Sequence, residues 1–287
     1  MQKTLKNHPI ILFYLLAFGL AWCIKIPVVL SNTDNILLRL LPSFFPAMAA
    51  LVTVAVLAGR RGIKDLLGQI GRLRVAPVWY LIALTGPLAL NLLAVVLAIP
   101  FGEAFPGFVF PGIRVLPVVV AATIFALGEE LGWRGFALPR LQSRYNALVA
   151  SLIVGLLWWA WHLPEALAGP ATGVSLQQIV SLELRDLILN VAASIMMTWI
   201  YNRTGRSVLL VALFHVSIGL LGEFLAIPVT PNVSVANILL NVLLCIAAAI
   251  VMLVTKSDYF VHKPSETTAP LTDNAHDVLA LANKEHL

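Results

Sequence analysis

The chain has 287 residues, of which 60% are hydrophobic and 11% are charged, and its mean hydropathy is +0.91. Charged residues make up about a quarter of an ordinary soluble protein, so this composition excludes a soluble globular fold. The net charge of +5 does not indicate nucleic-acid binding, because the basic residues are concentrated in short segments between apolar runs.

The apolar runs predict an all-α membrane protein, a bundle of about eight transmembrane helices of about 20 residues each. In chain order, the predicted spans are residues 9–30, 37–58, 77–100, 115–138, 147–168, 179–201, 207–226 and 236–255. We expect one membrane domain over residues 1–255, with the polar motifs concentrated in residues 115–226. Residues 256–287 are rich in polar and charged side chains, which predicts a disordered C-terminal tail.

The distribution of basic residues predicts the orientation of the bundle. Basic clusters precede the first span and follow the second, fourth, sixth and eighth spans, while the alternate loops hold few basic residues. Positively charged loops are retained on the cytoplasmic side, so we expect both termini to be cytoplasmic. Lys25, near the end of the first span, is expected to extend its ammonium group to the membrane surface.

Two carboxylates and a guanidinium lie together in the fourth span, within the stretch GEELGWR at residues 128–134. Charged groups inside a membrane are costly and usually functional. Glu130 and Arg134 are four residues apart, so they are predicted to pair on one helix face. Glu129 is turned roughly 100° away from that pair, which leaves it free for chemistry.

Two further spans each supply one histidine: His162, one helical turn after Trp158, in the fifth span and His215 in the seventh. A single histidine in such a helix often just hydrogen-bonds a carbonyl group. Hydrolysis of a peptide bond needs an activated water and a donor to the developing oxyanion. A carboxylate removed from bulk water is a better base, and Glu129 fits that role. We expect His162 to share the water or its proton, and His215 to donate to the oxyanion.

The same three side chains, Glu129, His162 and His215, are also a two-histidine, one-carboxylate set of the kind that binds catalytic zinc. The local zinc-protease motif His-Glu-x-x-His does not occur in the chain. The sequence therefore leaves two mechanisms open. The water is activated either by the glutamate with no cofactor, or by a divalent metal such as zinc.

The predicted depths of Glu129 and His162 in the membrane indicate whether the two residues can lie close together. Counted by helix rise from the predicted span ends, Glu129 and His162 differ in depth by about 10 Å. A longer fourth helix or tilted helices would close this gap. Two other polar residues inside spans, Asn91 and Asn190, are expected to form hydrogen bonds between helices rather than to take part in chemistry.

These motifs resemble the CAAX protease and bacteriocin-processing family of intramembrane proteases, also called the CPBP or Abi family, which includes the Rce1-type prenyl proteases. Its E-E-x-x-x-R motif is matched by Glu129, Glu130 and Arg134. Its F-x-x-x-H motif is matched by Trp158 and His162, with Trp in place of Phe.

The third family motif, H-x-x-x-N, is met at His215, but Gly219 stands where Asn is expected. The resemblance implies an endopeptidase with Glu129 as the catalytic carboxylate and with His162 and His215 beside it. Family members are described as metalloproteases or as glutamate-dependent proteases. The Asn of the motif is thought to help its histidine hold the oxyanion. Gly219 therefore leaves open a weaker activity, an altered substrate or a non-proteolytic role.

The expected partners are the lipid bilayer and a membrane-associated peptide or protein substrate, such as a prenylated CAAX tail; nucleic acid is not expected. The expected location is a bacterial cytoplasmic membrane, as an integral multi-pass protein. Two alternatives to a peptidase stay open. One is an ion-coupled transporter, since intramembrane Glu and His residues also relay protons. The other is a catalytically weak family member that acts as an immunity or scaffold protein.

Overall fold

A computed structural model describes residues 8–256, with gaps at residues 32, 34, 111, 169–172 and 226–231. The described part is helical apart from loops, turns and one isolated bridge between Phe108 and Leu225. The predicted C-terminal tail, apart from its first residue, lies outside the described residues.

The described residues form ten α-helices, several of them extended by short 3-10 turns. In chain order these helices are α1 (Pro9–Leu30), α2 (Ile36–Leu40), α3 (Phe45–Gly68), α4 (Pro77–Ala98), α5 (Val115–Gly132), α6 (Leu138–Gln142), α7 (Ala147–His162), α8 (Leu176–Arg203), α9 (Val208–Gly219) and α10 (Val235–Val254). A five-residue π-helix, Trp133–Ala137, joins α5 to α6.

A helix lies at each predicted span, so the predicted helical membrane bundle is confirmed. Six helical segments of the described chain are long and apolar enough to cross a membrane. The two remaining spans fall short of that measure for different reasons. The segment Val208–Glu223 is shorter, and α8 carries the charged residues Glu183, Arg185 and Asp186 in its first half.

The local sequence explains several helix ends. Ser175 and Ser234 form capping boxes at the starts of α8 and α10, where their side chains accept hydrogen bonds from the first turn. Asn146 and Ser207 cap α7 and α9 in the same way, without the reciprocal bond. Gly59 has a positive φ of 57° and kinks α3 where the second predicted span ends, which separates the apolar half of the helix from its basic half.

Segments next to the basic loops meet at one end of the bundle. The side-chain amide of Gln69 donates to the carbonyl oxygen of Gly135 at 3.1 Å and accepts from the hydroxyl of Tyr201 at 2.7 Å. The side chain of Arg72 donates to the carbonyl oxygen of Gly205. The ends of α3 and α8 therefore lie together, as the predicted alternation of loops requires. Which end faces the cytoplasm stays a prediction.

Two glycines four residues apart bring α5 against α3. A Cβ atom added to Gly132 would lie 2.6 Å from backbone atoms of Pro46, and one added to Gly128 would lie 2.6 Å from a backbone carbonyl oxygen of the turn before α3. Small residues at this spacing allow two membrane helices to approach closely. Both glutamates of the E-E-x-x-x-R motif lie between these glycines and are buried.

Candidate active site

The glutamate pair lies near the middle of one long helical segment, Gly112–Gln142. α5 continues through the π-helix into α6, beyond the predicted end of the span at residue 138. π-helices are rare and are frequent at functional sites. Glu129 directly contacts Trp158, so these two residues lie at the same depth in the bundle, and His162 lies one helical turn beyond Trp158.

Glu130 and Arg134 form the predicted ion pair. Nη1 of Arg134 donates to both carboxylate oxygens of Glu130, at 2.9 and 2.8 Å, and both side chains are fully buried. The guanidinium also lies 4.9 Å from the ring centroid of Trp158, in a cation–π contact. Nε and Nη2 of Arg134 have no hydrogen-bond partner among the described residues.

His215 is attached to the same pair. Its Nδ1 lies 2.9 Å from Oε1 of Glu130. An ionised carboxylate only accepts hydrogen bonds, so Nδ1 carries the proton and donates it to Glu130. The other ring nitrogen, Nε2, is therefore left for a different partner.

Glu129 has a separate environment from Glu130. Its side chain is 6% exposed, and its Oε2 accepts a 3.0 Å hydrogen bond from Nε1 of Trp158. Within the described ranges it forms no ion pair. Glu130 is thus held by a cation, whereas Glu129 is held by a neutral donor.

A cavity of about 440 Å³ opens beside this carboxylate. Its polar lining comes from Glu129, Trp158, Asn190 and His215, and Gly219 lies on its wall. The remaining lining residues are apolar side chains of α2, α5, α8 and α9. The structure therefore brings a buried carboxylate and a histidine from different helices to one cavity.

His162 is not among the residues that line this cavity. Its Nδ1 lies 3.5 Å from Oε1 of Glu165, and its side chain is 42% exposed. The ring of Trp158 lies 6.5 Å from that of His162 and 4.9 Å from that of His215, measured between centroids. Trp158 therefore neighbours all three predicted residues, Glu129 included, although they do not all contact one another.

Lys25 is buried against its neighbours rather than extended away from the bundle, so the predicted orientation of its side chain is wrong. It is 6% exposed, and its Nζ lies 2.7 Å from Oε1 of Glu165. Nζ also donates to the carbonyl oxygen of Trp161 at 3.2 Å and lies over the indole ring of the same residue. The half-exposed carboxylate of Glu165 and the aromatic face of Trp161 stabilise the ammonium group there, which the sequence of α1 alone does not indicate.

The side chains suggested as metal ligands do not form a ligand set. Across the described ranges, no three His, Cys, Asp or Glu side chains are grouped so that they could hold a metal ion. His215 is directed to Glu130, and His162 is paired with Glu165. The donors of this arrangement therefore do not fit the predicted zinc site with Glu129.

The sequence prediction missed one polar residue of the cavity, Asn190. Its Nδ2 donates to the carbonyl oxygen of Asp186 at 2.8 Å, within α8, so it does not form the expected bond between helices. Asn91 does form such a bond, to the carbonyl oxygen of Ile218 at 3.2 Å. Nothing in the sequence around the two asparagines distinguishes them, because the difference depends on which helix packs next to each.

The fold and the cavity define a multi-helix membrane protein with a carboxylate and histidine site buried between its helices. Residues 110–221 match the family described as Type II CAAX prenyl endopeptidase Rce1-like. This segment is therefore similar to that family, and the resemblance predicted from the motifs is confirmed.

A curated relative supports the same assignment. CAAX prenyl protease 2 of the archaeon Methanococcus maripaludis is 33% identical to this chain over 170 residues. The alignment covers 57% of this chain and 61% of that relative, so less than two thirds of either protein is matched.

Proposed function

We propose that this protein is an intramembrane endopeptidase of the CAAX-protease type, within the wider CPBP or Abi group. It hydrolyses a peptide bond in a membrane-associated or prenylated substrate. The proposal rests on one observation above all. Glu129 is a buried carboxylate without an ion-pair partner in the described structure, and it lines the same cavity as His215.

Glu129 acts as the general base. The hydrogen bond from Trp158 fixes one carboxylate oxygen, and the other takes a proton from a water molecule in the cavity. The water oxygen attacks the carbonyl carbon of the scissile peptide bond. Glu129 then passes the proton to the peptide nitrogen as the carbon–nitrogen bond breaks, which releases a carboxylic acid and an amine, and the acid then gives its proton to the amine. Such a base contributes about 10²- to 10⁴-fold to the rate.

His215 stabilises the negative charge that develops on the peptide oxygen. In its doubly protonated form the ring donates from Nε2 to this oxygen, while Nδ1 stays bonded to Glu130. Glu130 and Arg134 are then positioning residues. Their buried ion pair fixes the ring of His215 and takes no part in proton transfer.

His162 has a supporting role in this proposal. It lies one turn after Trp158, and its exposed ring shares the water or its proton with Glu129 once it leaves Glu165. The mechanism contains no metal-dependent step, because the three candidate ligands do not form a ligand set.

A prenylated CAAX tail is the proposed substrate class. The name of the archaeal relative and the description of the matched family both refer to such substrates. The largely apolar walls of the cavity suit a lipid-modified peptide delivered from the bilayer. The proposed location is the one expected from the sequence, an integral, multi-pass position in a bacterial cytoplasmic membrane.

The test is direct. The purified protein in liposomes is given a peptide that ends in a farnesylated cysteine and three further residues, and release of the C-terminal tripeptide is followed by mass spectrometry. The proposal predicts catalytic release. Absence of the tripeptide, combined with Glu129-dependent ion or solute uptake into the same liposomes, would contradict it and favour the transporter.

A further inference from the structure

Asn190 brings a carboxamide to the cavity from a helix outside the three matched motifs. It lies in α8 and is half-buried, and it lines the cavity together with Glu129 and His215. One N–H of its amide is used by the carbonyl oxygen of Asp186, at 2.8 Å. Because that partner only accepts hydrogen bonds, the nitrogen end of the amide is fixed, and a second N–H is left over.

The position of Asn190 is set by a close crossing of α7 and α8. A Cβ atom added to Gly155 would lie 2.9 Å from the Cα of Val191 and 3.2 Å from the backbone oxygen of Asn190. Close to this point, the hydroxyl of Ser194 donates to the carbonyl oxygen of Ser151 at 2.8 Å. The backbones of α7 and α8 therefore lie nearly in contact at Gly155, about one helical turn before Trp158. This contact holds Asn190 beside the helix that carries the indole.

Two other neutral polar side chains at or near the cavity, Trp158 and Ser217, already use their donors. The N–H of Trp158 donates to Glu129. The hydroxyl of Ser217 donates to the carbonyl oxygen of Ala83 at 2.7 Å, so it is turned away toward α4. Gly219 has no side chain, and nothing lies within 4 Å of a Cβ atom added there. Among the described lining residues, Asn190 is thus the neutral side chain with a donor to spare.

We propose that Asn190 is a catalytic residue that donates its second N–H to the oxyanion, beside His215. This inference rests on the proposed peptidase function and deepens it. A carboxamide keeps its donors at every physiological pH, and it needs no proton to stabilise a negative oxygen. Removal of one oxyanion donor typically lowers kcat by about 10²- to 10³-fold.

The test compares cleavage of the farnesylated peptide by the wild type and by the variants Asn190→Ala and Asn190→Leu, the second of which keeps the size of the side chain. We expect kcat to fall about 100-fold in both, with a small change in KM. The control is Asn241→Ala, which removes an amide that donates to the carbonyl oxygen of Arg185 at 2.8 Å, outside this cavity. It should retain wild-type kcat.

A second substitution tests whether kcat falls because an amide donor is missing or because the structure is disturbed. Gly219 lines the same cavity and has open space around it, so adding Gly219→Asn to Asn190→Ala supplies a new amide there. The inference predicts at least a tenfold recovery of kcat. A loss that Gly219→Asn does not restore, failure of both Asn190 variants to fold, or wild-type kcat in Asn190→Ala would overturn it while leaving the peptidase proposal intact. No cleavage by the wild type would overturn both.

Discussion

Nε1 of Trp158 donates a 3.0 Å hydrogen bond to Oε2 of Glu129, between residues that are 29 positions apart and lie on different helices. The bond joins the first two sequence motifs inside the bundle. It also explains how a carboxylate without a cation remains buried, because a hydrogen bond offsets part of the cost of removing it from water.

Trp158→Phe tests this bond. The variant keeps an aromatic ring but leaves a buried carboxylate oxygen without its donor, at a cost of about 1–3 kcal/mol. We expect a lower melting temperature and a kcat reduced about tenfold, because Glu129 loses its orientation. The matched control is Trp159→Phe, which removes an equivalent 3.0 Å bond to Glu183 away from the cavity. Equal kcat in the two variants would contradict the role of Trp158.

Glu130→Gln should lower the stability of the protein strongly. It leaves the fully buried guanidinium of Arg134 without its counter-ion, which typically costs about 3–5 kcal/mol. The double variant Glu130→Gln with Arg134→Gln should recover part of this loss, because no unpaired charge remains. Thermal unfolding in detergent measures both. A melting temperature unchanged from wild type in Glu130→Gln would contradict a structural ion pair.

Gly132→Ala tests the close contact of α5 with α3. The new methyl group meets backbone atoms of Pro46 at 2.6 Å, so the helices must separate. Overpacking of this kind costs about 1–3 kcal/mol. Gly19→Ala in α1 is the control, since its added Cβ has no neighbour within 4 Å. Similar unfolding temperatures for the two variants would show that the glycine contact does not determine the packing.

His162→Ala, compared with Glu165→Gln, tests whether His162 takes part in proton transfer or only in the ion pair with Glu165. Because the ring is 42% exposed, the fold should survive, and we expect cleavage to fall about 100-fold if His162 shares the proton of the water. Glu165→Gln removes the ion pair but keeps the ring, so it should retain most of the activity. Equal losses of activity in the two variants would instead show that His162 acts only through its ion pair with Glu165, which also binds Lys25.

Local patterns in the sequence predicted what depends on one helix at a time. The apolar runs predicted the helices. The spacing of Glu130 and Arg134 predicted their ion pair, because residues four apart on one helix are neighbours whatever surrounds the helix. The two glycines beside these residues were a further readable signal for close packing, although the prediction did not use it.

The rest of the site depends on packing between helices. The inward position of Lys25 needs a carboxylate from the turn after α7, and the contact of His215 with Glu130 joins residues 85 positions apart. Asn190 reaches the cavity because Gly155 lets α8 approach α7. None of these relationships has a local pattern, so a single sequence does not reveal them.

The central claim is that Glu129 is the base, and one paired measurement tests it most directly. Glu129→Gln and Glu183→Gln each neutralise a carboxylate that accepts a 3.0 Å hydrogen bond from an indole, but only Glu129 lines the cavity with His215. We predict that Glu129→Gln lowers tripeptide release from the farnesylated peptide by about 10²- to 10⁴-fold, with normal folding. Glu183→Gln should cleave like the wild type. Cleavage at the wild-type rate by Glu129→Gln would contradict the account.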